Sequence, residues 1–145
     1  MSVLKINSLY KRFGKKEVVR GVDFSMETGE VLGLLGPNGA GKTTSFYMIV
    51  GFYRPTSGEV FLNDTCITRL PMYKRARMGI SYLPQEASVF RKLTVEQNIW
   101  AVLETRKDLS KAEKQYKLDE LIGEFNIERI RKQPAFTLSG GERRR

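Results

Sequence analysis

The sequence predicts an α/β fold, with an antiparallel β part followed by a small α-helical part, and three observations carry that reading. Residues 3–10 and 17–26 hold alternating or short apolar runs with Gly14 between them, the pattern of two strands joined by a tight turn. Val31–Leu35 is apolar on both faces, as a buried parallel strand covered from two sides requires. From about residue 94 to 126 the apolar spacing changes to three and four, the period of a helix.

The remaining elements follow from local chemistry. Thr28, Gly29 and Glu30 form a turn ahead of Val31–Leu35, a glycine-rich loop comes after it, and Thr43–Val50 makes a helix that stops at Gly51. Arg54–Gly58 is a turn, Glu59–Leu62 a short strand, and Pro71 opens a short helix through Arg77. Gly79–Leu83 reads as a further strand, ended by Pro84 and Gln85. Thr94 with Gln97, and Ser110 with Glu113, place a hydroxyl three residues before an amide or acid, so each starts a helix as a capping box. Leu118, Leu121, Ile122 and Phe125 give the second of these helices one apolar face. Ser139 and Glu142 repeat the capping spacing and predict a third helix start.

Composition excludes several classes. The chain has 145 residues, 41% of them apolar and 28% charged, the balance of a globular domain with its own core. The first residues lack the apolar stretch of a signal peptide, and no apolar run is long enough to cross a bilayer. A single cysteine, Cys66, forms no internal disulfide. These features point to the cytoplasm. The net charge of +9 is spread along the chain without the aromatic-and-basic interleaving of a single-strand binder, so no specific nucleic-acid partner is indicated.

The glycine-rich loop carries the chemistry. Gly36, Pro37, Asn38, Gly39, Ala40, Gly41, Lys42 and Thr43 fit Gly-x-x-x-x-Gly-Lys-Thr between a strand and a helix. Glycines let successive N–H groups turn inward on phosphates, and a helix N-terminus adds about half a positive charge. The expected ligand is ATP with Mg²⁺. Residues 36–43 and Thr44 hold the phosphates, Lys42 reaches the β- and γ-phosphates, and the Thr43 hydroxyl ligates the metal. Leu138, Ser139, Gly140, Gly141 and Glu142 form a second device: a hydroxyl and two glycines leave the first amides of a helix start uncovered, which suits another anion.

With both devices present, the chain resembles the nucleotide-binding subunits of ATP-binding-cassette (ABC) transporters, whose signature is Leu-Ser-Gly-Gly-Gln; position 142 departs to Glu. The resemblance implies an incomplete P-loop NTPase domain of the ABC type and a head-to-tail homodimer. Ser139, Gly140 and Gly141 would meet the γ-phosphate held by the partner's loop. Gln85 would be the Q-loop glutamine, sensing the γ-phosphate through Mg²⁺ or the attacking water, catalytic with Lys42 and a metal contact with Thr43. Phe13, with Tyr10 as second choice, would stack on the base. The implied organisation is a β subdomain and first part of the core at 1–85, a Q-loop and helical subdomain at 86–137, and a truncated signature at 138–145.

Longer stretches narrow the resemblance. Residues 33–44, 46–51, 82–93 and 138–145 are similar to the lipopolysaccharide-export ATPases of Gram-negative bacteria, most distinctively Tyr82-Leu-Pro-Gln-Glu-Ala-Ser88. This implies an ATPase dimer, peripheral on the cytoplasmic face of the inner membrane beneath integral membrane subunits. ATP-driven closure of the dimer would power lipopolysaccharide extraction toward the outer membrane. Phe90, Arg91 and Leu93 would contact the membrane subunits, an apolar anchor with a charged rim. Beside a cassette protein acting on ribosomes, which usually carries two cassettes in one chain, two alternatives stay open. One is the ATPase of another transporter, such as a branched-chain amino-acid importer. The other is a DNA-maintenance ATPase, although such proteins separate loop and signature by a long coiled coil, and only short elements lie between Lys42 and Ser139 here. The family's acidic Mg²⁺-ordering strand, general-base Glu and switch histidine follow the signature; the sequence has no His and no such strand there. The expectation is an N-terminal part of a longer ATPase that hydrolyses little by itself, with Val31–Leu35 lacking a parallel neighbour and exposing an apolar edge.

Overall fold

The computed structural model describes residues 2–85 and 88–144, in two units, Met1–Leu83 and Pro84–Arg145. Glu86, Ala87 and Arg145, which belong to the stretches read from the sequence, lie outside the described residues.

The first unit is a four-stranded antiparallel sheet with order β2-β1-β3-β4, formed by β1 (Val3–Phe13), β2 (Lys16–Glu27), β3 (Ser57–Leu62) and β4 (Thr65–Cys66). Two helices belong to the unit, α1 (Lys42–Val50) and α2 (Met72–Arg77). The core joins Ile6, Leu9, Val19, Val60 and Ile67 to Met48 and Ile49 of α1. Strict alternation along β1 would bury Ser8 and expose Leu9. Instead Ser8 takes φ 43, and the register slips between Ile6 and Leu9, so both apolar residues face the core. The Asp23 carboxylate holds this bulge, accepting from the Ser8 N–H at 2.6 Å and from its hydroxyl at 3.2 Å. On the β3 side the bulge comes so close that a Cβ at Gly58 (φ 88) would stand 2.1 Å from the Ser8 carbonyl oxygen. The stretch ending at Asp64 is a hairpin: Asn63, with φ 54, exchanges bonds with the Val3 backbone through its own N–H and its side-chain oxygen.

Two expected strands are absent. Val31–Leu35 has no regular structure, with Val31 100% and Leu35 92% exposed, and Gly79–Leu83 is likewise irregular. The reason lies in strand pairing. A parallel strand must give its N–H and C=O groups to neighbours on the same sheet, and every ladder among the described residues is antiparallel and already formed without these segments.

The second unit carries α3 (Val95–Glu104) and α4 (Lys111–Glu124), and both expected capping boxes are present, at Thr94 with Gln97 and Ser110 with Glu113. Val95, Leu103, Leu118, Ile122, Ile127, Ala135 and Leu138 form its core. The apolar face expected of α4 is used in part: Leu118 and Ile122 are buried, while Phe125, just past the helix end, is exposed. Arg131 ties the two helices, donating to Glu96 at 2.6 Å and Asp119 at 2.7 Å; these bonds hold its pKa above the ordinary value. No helix among the described residues is long and apolar enough to cross a membrane.

Gly58→Ala should cost roughly 2–3 kcal/mol of stability, because it adds a positive-φ strain to a clash with backbone that cannot retreat. Chemical denaturation measures this, and a loss below about 0.5 kcal/mol would contradict the close approach of β3 to the bulge.

Candidate functional site

The loop 36–43 passes from an exposed segment into α1. Gly41 is the N-cap, at φ 85 and ψ 7, and it is buried. A Cβ there would lie 2.4 Å from the Val18 carbonyl oxygen and 3.0 Å from Val19 Cγ2, so only glycine lets the helix start this close to β2. No side chain caps the helix, and its first turn contains no acid. Its leading amides thus present the positive end of the helix dipole without a built-in counter-charge. Lys42 adds to this. Its Nζ donates to the Gly36 carbonyl at 2.6 Å and the Pro37 carbonyl at 2.7 Å, curling the loop back over the helix start. Thr43 is exposed and Thr44 half-buried.

Ser45 is a residue that the sequence reading missed. It is buried, and its hydroxyl donates to the Gly41 carbonyl at 3.0 Å, reinforcing the first helical bond, Ser45 N–H to the same oxygen at 2.8 Å. The available signal was a hydroxyl four residues after a glycine N-cap, where serine bonds back to the i−4 carbonyl.

Phe13 closes β1 in the same unit, 44% exposed. Tyr53 meets its ring edge-on at 5.4 Å, and Lys11 Nζ lies 4.9 Å from its centroid. Tyr10, the second choice, is slightly less exposed, and its hydroxyl packs against Gly21.

The other candidates belong to the second unit. Gln85 is exposed. Phe90 is 63% exposed while its backbone is held by the Asn98 side chain, which accepts from Phe90 N–H at 2.7 Å and donates to Phe90 O at 3.1 Å. Arg91 is exposed, and its carbonyl accepts from Phe136 N–H; Leu93 is half-buried, with its carbonyl accepting from Ala135 N–H. Phe90, Arg91 and Lys92 are thus exposed on a backbone held by Asn98 and by residues 135–136.

The predicted capping at Ser139 is present. Its N–H and hydroxyl both donate to Glu142 Oε2, at 2.8 and 2.7 Å, and the hydroxyl accepts from Glu142 N–H at 3.3 Å. A 3₁₀ turn, Glu142–Arg144, follows it and reaches the last described residue. Gly140 and Gly141 have ordinary φ, and a Cβ on either would meet nothing within 4 Å. The fold of this chain does not itself demand glycine there. Beside the turn lies an apolar cavity of about 170 Å³, lined by Val89, Ile99, Phe125 and Leu138 among others. Among the described residues no group of three or more His, Cys, Asp or Glu side chains could hold a metal.

Comparison with known proteins bears on family and fold. The family model described as "ABC transporter" matches residues 19–145. The lipopolysaccharide export system ATP-binding protein LptB of Haemophilus influenzae is 52% identical over 145 residues, and that of Escherichia coli K12 is 48% identical; each match takes in 100% of this chain and 60% of the relative. The chain thus spans 60% of the length of these curated relatives. Among solved structures, an ATP-binding subunit of an ABC transporter superposes with a TM-score of 0.82 at 27% identity, over 97% of this chain and 57% of the other. A nucleotide-free ATP-binding cassette with TM-score 0.75 and 24% identity, covering 99% and 61%, shares the fold.

Gly41→Ala should lower stability by roughly 1–3 kcal/mol and move the amide resonances of Lys42–Thr44, since the helix start must leave β2 to admit the Cβ. Unmoved resonances would show that α1 does not begin against Val18.

Proposed function

The chain belongs to the ABC transporter family, and from that premise we propose that it forms the ATP-binding part of a transporter's ATPase subunit. The observation that carries the reading is the start of α1, uncapped, free of acid and overlain by the Lys42 ammonium. No side chain among the described residues caps the leading amides, and the Lys42 ammonium is bonded only to loop carbonyls. A triphosphate satisfies them, and the loop fits it: Gly41 brings the amides against the sheet, and Lys42 holds two carbonyl bonds that it exchanges for phosphate oxygens. ATP with Mg²⁺ supplies the hydrolysable γ-phosphate that powers transport. Thr43 and Gln85 are the residues assigned to the metal, Lys42 and Gln85 to catalysis, and Phe13 to the base.

The signature completes the site in a second copy. Ser139 already binds a carboxylate oxygen, and Gly140 and Gly141 leave backbone open where their own chain needs no opening. In the proposed homodimer these residues approach the phosphate held by the partner's loop, and closure of the dimer around ATP is the power stroke. Phe90 and Arg91 face outward from a rigid backbone and, with Leu93, are assigned to the integral inner-membrane subunits. The match to proteins named for lipopolysaccharide export supports lipopolysaccharide as the cargo of the whole protein, which would work at the cytoplasmic face of the inner membrane.

Lys42→Ala should weaken nucleotide binding at least tenfold, by about 1.4 kcal/mol or more, with an unchanged melting temperature. Equal affinity in a titration would remove the assignment. Phe90→Ala should cut co-purification with the membrane subunits while leaving nucleotide affinity alone; full recovery of the complex would remove that contact.

A further inference from the structure

We propose that Arg75 is a positioning residue for the nucleotide site, acting through α1; this rests on reading the start of α1 as the phosphate-binding end. Arg75 is the one buried residue of α2, 1% exposed. Its guanidinium donates to four backbone carbonyls: Nε to Leu70 at 2.8 Å, Nη1 to Met48 at 2.7 Å and Ile49 at 2.6 Å, and Nη2 to Thr68 at 2.8 Å. No carboxylate among the described residues pairs with it.

A buried cation without an acid needs another source of negative potential, and the last turn of α1 supplies it. Met48 and Ile49 expose carbonyls at the negative end of the helix dipole, and α1 has no basic residue of its own in that turn. Arg75 therefore caps α1 from a different helix. The same fork grips the segment after β4 through Thr68 and Leu70. A planar group with fixed donor directions defines position as well as charge, which a lysine cannot reproduce. α1 is a rigid rod of nine residues. Contact with β2 at Gly41 fixes one end and Arg75 fixes the other, so together they set where its leading amides point. The remaining side chains of α2 are exposed, so the principal buried contribution of this helix is the guanidinium it carries.

The test uses the full-length protein and a fluorescent ATP analogue with Mg²⁺. Arg75→Met should raise the dissociation constant at least fivefold at a temperature where the variant keeps its native circular dichroism, and Arg75→Lys should fall between it and the unsubstituted protein. A lowered melting temperature with affinity unchanged within twofold in both variants would reduce Arg75 to a structural role and overturn the proposal. If Arg75→Met does not fold, Arg75→Lys decides. Hydrogen exchange on the unsubstituted protein reads the same link without any variant. Adding the analogue should slow exchange at residues 48–53 and 68–75, at the far end of α1, and unchanged exchange there overturns the proposal. Absence of binding by the unsubstituted protein would instead fail the phosphate-loop reading itself.

Discussion

Where α1 meets β2 at Gly41, a helix and a strand come closer than any side chain allows, and the rest of the first unit is arranged around that contact. It fixes the helix start against the sheet, so Met48 and Ile49 fall onto Ile6, Leu9 and Val19 two turns later. It also removes the residue that would otherwise cap the helix. Packing and an open helix start thus meet in one glycine: the packing needs no Cβ, and the missing side chain leaves the leading amides uncapped. Lys42 and Ser45 elaborate the same point, one folding the preceding loop over the helix and the other bracing its first carbonyl.

The second unit treats a helix start differently. At Ser139 the hydroxyl and N–H are engaged by Glu142, so this helix start is capped by its own side chains. What it offers is accessible backbone, through two glycines in ordinary conformations with open space around them. Glu142 in place of the family's glutamine puts a carboxylate, not a neutral amide, beside Ser139. An incoming phosphate would be repelled by that charge.

The elements legible in the sequence were those whose cause is local. The β1–β2 hairpin, the two capping boxes of α3 and α4, Pro71 ahead of α2 and the glycine-bounded α1 all appear where turn and cap chemistry put them. The start of α1 behind Gly41 was legible for the same reason. The errors fall where a segment depends on a distant partner. Val31–Leu35 and Gly79–Leu83 have the composition of buried strands, yet composition cannot supply a ladder. The bulge at Ser8, and Arg75 as a buried cation, were invisible because each is defined by groups far along the chain: Asp23 and Gly58 for the first, Met48, Ile49 and Thr68 for the second. A charge within Lys74–Arg77 reads as surface until the carbonyls that neutralise it are known.

The strand order has a consequence for how the site comes into being. β1 pairs locally with β2 but also with β3, and the whole phosphate loop and α1 lie in the connection between β2 and β3. The hairpin can form by itself quickly, whereas β3 must close that long connection and pay its loop entropy before joining β1. The glycine-rich segment is thus enclosed by the slower closure. Its two ends are tied to opposite sides of β1, so its position depends on both ladders of that strand.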